Sequence, residues 1–561
     1  MSEARKRKLF MVLLFLMAGA MAVYIYISCA GGQEQQKLKE GLAYFFGGSA
    51  QPGMEVEVEL LNYDWFSQPS FQWQVDGKIV SQEGPSYTPD ENDLEKMLTV
   101  TIQAEGYEDQ TLSVFCSRLP VLYVDVEDGA EVATKKDYQN AYYVLQGAGE
   151  YQQYRYEGET QIKGRGNTSW NMDKKPYKLK LENKEDLLGM GENRHWVLLA
   201  NYTDISLMRN TLAFRAAEEI GLVSMETQWV ELVLNGEYVG NYQLCQQIRP
   251  GEDRVPVTDL EKIAHEVAEE CVRREMIGGD YLEELKEMLE NDLSWLSTRT
   301  FQFYDQKYQI PADIQLPAIT GGFILEIDEY FDEPSKFETA KGQPVMFHSP
   351  VNAWSNLELM DYAMYYVQAI EDAIYAENHQ TQWQGVTVHY TDLIDLDSLA
   401  KYWLISEFFC NEDLGKKSVY LYKDLEGKAY MGPIWDMDWS SGGSENTQAY
   451  DQWATLTFSA GAQQYMWYKE LVKDPEFLTR VYELYHQYRY IFEEITKEGG
   501  DIDQYYEYLY DSGLANEKLW KTDSGFTEEV TEVLKPWLRN RLQWMDEQFA
   551  TLEGLTASLN L

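Results

Sequence analysis

Two aspartates stand close together in an apolar segment in the last third of the 561-residue chain. Asp436 and Asp438 are two residues apart, so on an extended segment both carboxylates point to the same side, with tryptophan and methionine side chains around them. Crowded carboxylates repel each other and lose hydration, which is costly unless a cation lies between them. Oxygen ligands suit Mg²⁺ or Mn²⁺. The segment therefore predicts a divalent-cation site, and the alternative is an Asx-turn paired with an arginine.

A third aspartate, Asp413, lies in the loop Asn411–Ser418, between a predicted buried helix (Leu399–Cys410) and a predicted strand that begins at Val419. Loops between regular elements often carry catalytic groups, and a carboxylate there can act as a general base or orient a hydroxyl. As a single residue it also fits a turn or a helix cap.

A strand that leads into a polar turn is predicted over Ile162–Trp170. Gly164 and Gly166 allow backbone conformations in which amide groups approach an anion closely. The turn is therefore a candidate phosphate site. The alternative is a tight structural turn capped by Asn167 and Thr168.

A basic strand is predicted over Lys174–Leu181, where Lys178 and Lys180 share one face and two leucines occupy the other. Clustered cations in an acidic chain are suited to neutralising a phosphate. The spacing alone favours the simpler explanation, a solvent-facing side of a strand paired with acidic residues.

The overall composition limits the class of protein. Lys and Arg total 47 against 93 Asp and Glu, a formal charge of −46, which excludes a nucleic-acid partner because phosphate backbones would be repelled. A hydrophobic content of 44% excludes bulk disorder. The five cysteines and six histidines lack metal-ligand spacing, so no zinc site is predicted.

The N-terminus predicts a membrane attachment. Four cations, Arg5–Lys8, precede an apolar run, Leu9–Ile27, which is long enough to span the hydrocarbon core as a transmembrane or signal helix. Residues 1–29 are predicted to be a retained signal anchor, and the alternative is a lipoprotein signal cleaved at Cys29. Either case places the body outside the cytoplasm, tethered to the cell membrane, after a linker over residues 30–46.

The body divides into a small and a large part. Residues 47–117 show short alternating strands, a hairpin dipeptide at Asp76-Gly77 and a central Trp73, and they resemble bacterial immunoglobulin-like β-sandwich modules. Residues 118–552 exceed the size of one hydrophobic core, so two lobes are expected, with a helical insertion at about 258–310.

Taken in order, the motifs of the large part resemble the spore coat protein H (CotH) kinase family, atypical protein kinases of bacteria. The resemblance rests on eight segments: Gly164–Trp170, Lys174–Leu181, Leu187–Met190, Trp196–Tyr202, Ser206–Asn210, Tyr238–Leu244, Gly321–Asp328 and Trp435–Asp438. It implies an α+β, two-lobed protein-kinase-like fold that binds ATP with Mg²⁺ or Mn²⁺ and phosphorylates serine residues of proteins.

The resemblance also assigns roles to individual residues. It implies that Asp413 is the catalytic aspartate that orients the acceptor hydroxyl, and that Asp436, with Asp438 beside it, binds the metal. Nucleotide phosphates are expected to bind at a lysine of the basic strand, with Lys180 as the first choice. The remaining nucleotide-binding candidates are Lys178, Lys175, Arg165 and Asn167.

Two departures from the family pattern stand out. Ser418 lies five residues after Asp413, where protein kinases place a metal-binding asparagine, and a hydroxyl is a weaker ligand. Gln246 occupies a position where the family usually carries glutamate. Glu326 and Asp328 share one face of a predicted strand and are secondary site candidates, with a structural ion pair as the alternative.

The sequence thus predicts a membrane-tethered, extracytoplasmic CotH-type kinase that transfers the γ-phosphoryl group of ATP to Ser-rich envelope or spore-coat proteins. The alternative is a catalytically weak or inactive kinase-like protein with a binding or structural role at the cell surface. Gln246 and the scarcity of ATP outside the cell favour that alternative.

Overall fold

The computed structural model describes residues 38–46, 49–64, 67–80, 84–458, 467–522 and 524–559. The predicted membrane segment, residues 1–29, lies outside them. Within the described ranges no helix is both long and apolar enough to cross a bilayer. The chain divides into two compact units, the first formed by residues up to 46 with 57–87 and 99–112, and the second by 47–56, 88–98 and 113–561.

Two small sheets occupy the N-terminal part, in the strand orders β1-β2-β5 and β4-β3-β6-β7. The predicted strands and the Asp76-Gly77 hairpin turn are confirmed, and Trp73 is buried and stacks on Tyr87 with ring centroids 5.4 Å apart. An immunoglobulin-like module stays a prediction. The strands are β1 (Ala43–Phe46), β2 (Val56–Leu60), β3 (Ser70–Val75), β4 (Lys78–Ile79), β5 (Ser86–Tyr87), β6 (Lys96–Gln103) and β7 (Gln110–Cys116).

A closed barrel of seven strands begins the second unit, in the order β10-β11-β12-β14-β13-β8-β9. Its interior is apolar, because alternate residues of each strand point inward: Leu179 and Leu181 of β11 are buried, while Lys178 and Lys180 lie on the outer face, as predicted. The strands are β8 (Val121–Val126), β9 (Gln139–Gln146), β10 (Arg155–Gly164), β11 (Tyr177–Asp186), β12 (Glu192–Leu199), β13 (Thr227–Leu234) and β14 (Glu237–Gln246).

A five-stranded sheet follows, in the order β18-β19-β17-β22-β23. Strands β17 and β22 are antiparallel with Ile327 opposite Val419, so the residue after β17, Asp328, comes beside the residue before β22, Ser418. The remaining strands are β15 (Thr300–Phe303), β16 (Gln306–Gln309), β17 (Phe323–Ile327), β18 (Lys336–Glu338), β19 (Pro344–Ser349), β20 (Gln380–Trp383), β21 (Val386–His389), β22 (Val419–Lys423) and β23 (Ala429–Met431).

Helices complete a mixed α+β architecture, and a two-lobed kinase fold stays a prediction. Helix α7 is mostly apolar and mostly buried in the main core, and the Asp395 side chain caps its first turn by accepting from the Ser398 amide at 2.7 Å. The helices are α1 (Arg209–Glu219), α2 (Leu260–Arg273), α3 (Leu282–Asn291), α4 (Trp295–Thr298), α5 (Leu357–Tyr375), α6 (Tyr390–Leu393), α7 (Leu396–Phe409), α8 (Ala454–Thr457), α9 (Trp467–Leu471), α10 (Pro475–Thr496), α11 (Asp501–Trp520), α12 (Phe526–Glu528), α13 (Lys535–Gln548) and α14 (Leu552–Ser558).

A buried arginine ties α13 to α7. The Arg541 guanidinium is fully buried and donates to the carbonyls of Glu407, Tyr450 and Gln452 at 2.5–3.0 Å, and it lies 3.3 Å from the Glu407 carboxylate. That carboxylate also accepts from the Ala454 and Thr455 amides. The charge is therefore compensated on every side, and its removal would leave several buried acceptors without donors.

We expect Arg541→Met to lower the free energy of unfolding by about 3–5 kcal/mol, because it leaves the Glu407 carboxylate buried without its cation. Arg539→Met, two residues away, is the control, since its side chain is 42% exposed and pairs with Glu498 at the surface. Exposed pairs contribute about 1 kcal/mol or less. Urea unfolding of both variants measures the difference, and equal losses would contradict the prediction.

Candidate functional site

One cleft in the second unit, of about 170 Å³, gathers most of the predicted site residues. It is bounded by the turn after β10, the end of β12, the end of β17, the loop before β22 and the segment after β23. Eight predicted residues line it: Asp413, Asp436, Asp438, Ser418, Arg165, Asn167, Glu326 and Asp328. Four do not: Lys175, Lys178, Lys180 and Gln246.

The Asp436–Asp438 segment is held by neutral hydrogen-bond donors. The Ser418 hydroxyl donates to Asp436 Oδ2 at 3.2 Å, and the Thr203 hydroxyl donates to Asp438 Oδ2 at 2.5 Å. Within the described part of the chain neither aspartate forms an ion pair with an arginine. Burial, followed by the charge of Asp436, raises the pKa of the half-buried Asp438. The segment therefore has two carboxylates without an arginine partner, which disfavours the Asx-turn alternative, and the cation site stays a prediction.

Backbone geometry around these groups is unusual. Asp436 and Ser418 both have positive φ, +60° and +50°, a backbone conformation that residues other than glycine rarely adopt. Asn210, in the first turn of α1, accepts from the amide of Met437 at 2.8 Å and so fixes the residue between the two aspartates. Strained conformations of this kind persist where the surrounding contacts enforce them, which is typical of functional sites.

A second buried arginine fixes the chain that follows Asp438. The Arg209 guanidinium is fully buried and pairs with Asp204 at 2.5 Å and Glu529 at 2.6 Å. It also donates to the carbonyls of Ser440 and Ser441, at 2.9 and 3.3 Å. One cation thus joins the start of α1, the segment after the two aspartates and the C-terminal helices.

Asp413 follows α7, whose last residue leads into a left-handed Cys410 (φ +54°). The Asn411 side chain accepts from the Asp413 amide at 3.0 Å, which turns the Asp413 carboxylate toward the cleft. Asp413 is 8% exposed, and its Oδ1 has no hydrogen-bond partner; the nearest cation, Lys416 Nζ, is 3.6 Å away. Burial and then the charge of Asp436 raise the pKa of Asp413 to about 7.

Glu326 and Asp328 differ although they share one face of β17. Glu326 accepts from the Tyr420 hydroxyl at 2.8 Å and lies 3.2 Å from His348 Nδ1, so both of its oxygens have partners. Asp328 also accepts one hydrogen bond at each oxygen, but among the described residues its donors are the backbone amides of Tyr330 (2.8 Å) and Ser418 (3.3 Å) rather than side chains. Burial, together with the charges of Glu326 and Asp436, raises the pKa of Asp328 to about 6.

The turn after β10 carries Arg165, one of the cationic side chains that line the cleft. The Arg165 guanidinium carbon lies 5.8 Å from the Trp435 ring centroid, and Arg165 forms no ion pair with any described residue. Gly166 has φ +79°, and a Cβ there would come within 2.2 Å of Ser169 Oγ, so the turn requires glycine. The Asn167 side chain accepts from Lys135 Nζ at 3.1 Å, so Asn167 and Lys135 are engaged with each other. Arg165 is the cationic side chain of the turn that lines the cleft.

The lysines of β11 lie at different distances from that turn. The pairing of β10 with β11 places Gly164 opposite Tyr177, Lys163 opposite Lys178 and Gln161 opposite Lys180. Lys178 is therefore one residue pair from the turn, and burial followed by the charges of Lys163, Arg249 and Arg165 lowers its pKa to about 7.

Two further candidates are engaged elsewhere. Lys175 Nζ donates to the carbonyls of Trp170 and Met172, at 2.9 and 2.5 Å. Gln246 is fully buried, where its amide donates to the Met190 carbonyl at 2.6 Å and its oxygen accepts from the Glu226 amide at 3.0 Å. A glutamate carboxylate could not donate to Met190, so this environment selects a glutamine.

The donor set fits Mg²⁺ or Mn²⁺. The observation that decides this is the buried Oδ1 of Asp413, which accepts no hydrogen bond from the described residues and has only Lys416 Nζ at 3.6 Å, beside two aspartates that form no ion pair with a described residue. No three His, Cys, Asp or Glu side chains of the described residues are already arranged around a metal position. Mg²⁺ is usually bound by one or two carboxylates together with waters and substrate phosphates, which is the arrangement that this cleft offers.

Three positioning residues were not assigned roles from the sequence: Thr203, Arg209 and Asn210. Arg209 and Asn210 lie in a segment, Ser206–Asn210, that contributed to the family resemblance. Their partners are more than 220 residues away along the chain, so only the tertiary structure identifies them. The available signal was a run of polar residues between a buried strand and a buried helix.

Comparison with known proteins identifies the family. The sequence model of the CotH kinase protein family matches residues 162–302 and 356–545, well over half of the chain, so the chain belongs to the CotH kinase family. The matched stretches contain Arg165, Asp413, Asp436 and Asp438, whereas Asp328 lies between them. A search of curated proteins returned no match.

The pKa of Asp413 gives a test of the cleft without substrate. Its value is raised from 3.8 to about 7, so the folded chain retains a proton that the unfolded chain releases, and this stabilisation is lost as the pH rises from about 4 to 7. We expect Asp413→Asn, which cannot ionise, to be more stable than the native chain by about 2 kcal/mol or more at pH 8 and by about half as much at pH 5.5.

Urea unfolding in the presence of a chelator measures this difference. Asp397→Asn is the control, because Arg480 pairs with Asp397 at 2.6 Å and holds its pKa below the usual range. We expect Asp397→Asn to lower the free energy of unfolding by about 1 kcal/mol or less at both pH values, because it removes one partly exposed ion pair. An Asp413→Asn variant less stable than the native chain at pH 8 would show that the charge of Asp413 is compensated.

Proposed function

We propose that this member of the CotH kinase family is an ATP-dependent protein kinase that phosphorylates serine side chains of Ser-rich envelope or spore-coat proteins. The observation that carries the proposal is the buried Asp413 carboxylate, whose Oδ1 accepts no hydrogen bond from the described residues and which lines one cleft with the Asp436–Asp438 pair and Arg165. Phosphoryl transfer needs positioned charges more than covalent chemistry, and these groups supply them.

The phosphates of the nucleotide are proposed to lie under the turn after β10. Arg165 supplies a guanidinium that forms no ion pair with a described residue, and Lys178 lies one residue pair from the turn, where bound phosphate would favour its protonated form. Lys180 is three pairs from the turn, about 7 Å further than Lys178 along a strand. The strand register thus favours Lys178 as the phosphate-binding lysine, whereas Lys180 was the first choice from the sequence.

Asp436, Asp438 and the Ser418 hydroxyl would hold a divalent cation. When bound, such a cation neutralises the charge of the β- and γ-phosphates. The chain prepares for it by fixing the acidic segment through Thr203 and Asn210, so that no reorganisation is needed when the nucleotide binds.

Asp413 is proposed to accept the hydrogen bond of the acceptor hydroxyl. The serine oxygen forms a bond to the γ-phosphorus while the bond from that phosphorus to the bridging oxygen of the β-phosphate breaks, and ADP leaves. The hydroxyl proton passes to the Asp413 carboxylate. A raised pKa suits this role, because the carboxylate must take up a proton near neutral pH.

The structure bears on the noncatalytic alternative. Gln246 was one of its grounds, and that residue lies outside the cleft lining and is satisfied by two backbone partners. The missing glutamate charge therefore does not weaken the proposed ATP site.

We expect the full-length chain, with Mg²⁺ or Mn²⁺ and γ-labelled ATP, to label a Ser-rich acceptor protein. Asp436→Ala should lower the transfer rate by about 100-fold or more, because Asp436 is a proposed ligand of the divalent cation that neutralises the phosphate charge. Asp397→Asn, far from the cleft lining, is the control for loss of one acidic residue. Absence of labelling together with absence of nucleotide binding by calorimetry would refute the proposal.

The assignment of the phosphate-binding lysine has its own test. Lys178→Met should weaken ATP binding by about tenfold, the loss expected for one charge-assisted hydrogen bond. Lys180→Met is the matched control on the same strand face, and we expect a change of about threefold or less. Calorimetric titration with MgATP compares them, and a larger loss in the Lys180 variant would restore Lys180 as the phosphate ligand.

A further inference from the structure

Asp328 is a buried carboxylate without a cation. It is 5% exposed, it lines the cleft, and among the residues that the structure describes it forms no ion pair. Its two oxygens accept one backbone hydrogen bond each, at 2.8 and 3.3 Å, which leaves lone pairs of both oxygens free. Ionised carboxylates in such surroundings usually have a cationic partner.

The neighbouring carboxylate gives a direct comparison. Glu326 lies two residues earlier on the same strand face and lines the same cleft, but Tyr420 and His348 engage both of its oxygens. Each oxygen of both acids thus accepts one hydrogen bond, and the difference lies in the donors. Side chains, one of them an imidazole, hold Glu326, whereas among the described residues Asp328 is held by backbone amides alone.

Ser418 connects Asp328 to the predicted cation site. Its amide donates to Asp328 Oδ2 at 3.3 Å, and its hydroxyl donates to Asp436 Oδ2 at 3.2 Å. The antiparallel register of β17 with β22 enforces this juxtaposition, because Ile327 lies opposite Val419. Three oxygen-bearing side chains therefore converge at the position where protein kinases place an asparagine ligand.

A second observation in the same cleft also points to a cation. Asp413 is 8% exposed, and in the described structure its Oδ1 accepts no hydrogen bond and has only a long ion pair, 3.6 Å to Lys416 Nζ. Arg165 and Lys417 are the cationic side chains among the lining residues, and Lys417 is paired with Glu329 at 2.7 Å. The cleft thus has more buried acceptor oxygen than its own cations can engage.

We propose that Asp328 is a ligand of a divalent cation, held together with Asp436 and the Ser418 hydroxyl, and that it supplies the oxygen that Ser418 provides only weakly. The inference deepens the proposed function, on which it rests for the identity of the reaction. Asp328 lies in residues 303–355, between the two stretches that the family model matches.

The test measures Mn²⁺ binding to the full-length chain without nucleotide, by electron paramagnetic resonance of free Mn²⁺ at 150 mM salt. Asp328→Asn should weaken the saturable Mn²⁺ site by about tenfold or more. Glu326→Gln is the charge-matched control and should change the affinity by about twofold or less, because Glu326 is held by the Tyr420 and His348 side chains, whereas Ser418 bonds to Asp328 and Asp436.

A rescue separates a ligand from a merely structural residue. Ser418→Asn introduces an amide oxygen at the same place, and asparagine tolerates the positive φ of +50° found there. In the Asp328→Asn background it should restore most of the affinity. Should Asp328→Asn fail to fold, as judged by circular dichroism, Ser418→Asn alone in the native background should tighten Mn²⁺ binding about threefold or more.

Several outcomes would overturn the inference. Native Mn²⁺ affinity in folded Asp328→Asn would do so, and so would equal weakening in Glu326→Gln, which would indicate a general field effect. The inference would also be overturned if Ser418→Asn failed to restore or tighten Mn²⁺ binding. It would equally be overturned if the native chain had no saturable Mn²⁺ site. Calorimetry with ATP in a parallel sample decides the proposed function separately, because it reports nucleotide binding whichever residue holds the cation.

Discussion

Repulsion among the carboxylates of the cleft is the constraint on which the surrounding structure depends. Four aspartates, Asp328, Asp413, Asp436 and Asp438, line a cavity of about 170 Å³. Burial raises the pKa of three of them, and the charge of Asp436 contributes at each. Neutral donors, two hydroxyls and two backbone amides, hold Asp328, Asp436 and Asp438, while Asp413 has Lys416 at 3.6 Å. Neutral donors orient the carboxylates without supplying positive charge, so an incoming cation that displaces the bound protons is favoured.

The buried cation that fixes the acidic segment lies behind the cleft and does not neutralise its carboxylates. Arg209 is fully buried and bonds to the two carbonyls that follow the acidic segment, while its charge is balanced by Asp204 and Glu529. This arrangement fixes the backbone of the segment and leaves the charges of Asp436 and Asp438 unchanged. If Arg209 paired with Asp438 instead, the segment would be the satisfied turn that its spacing also allows. The choice of partner distinguishes a binding site from a structural motif.

The periodicity of apolar residues and the spacing of charged ones were sufficient to predict the individual strands and helices that carry this site. The alternation of Lys178 to Leu181 predicts the strand and its two faces, and the apolar run before Asp413 predicts the buried helix. Spacing could not predict which acids remain unpaired. Glu326 and Asp328 have the same periodicity, yet their difference comes from His348 and Tyr420, on two neighbouring strands of the sheet. The seven-stranded barrel was not predicted either, because its closure is set by pairings between strands distant in sequence.

Two buried acids of adjacent elements show what the fold completes and what it leaves open. Glu407, within α7, receives Arg541, a hydroxyl and two amides, so its charge is compensated inside the protein. Asp413, four residues beyond the end of the same helix, receives no hydrogen bond at Oδ1. Any ligand that supplies the missing positive charge binds the folded chain and not the unfolded one, so it must stabilise the fold by mass action. The incomplete compensation of Asp413 therefore couples cation and substrate binding to the stability of the core helix that carries it.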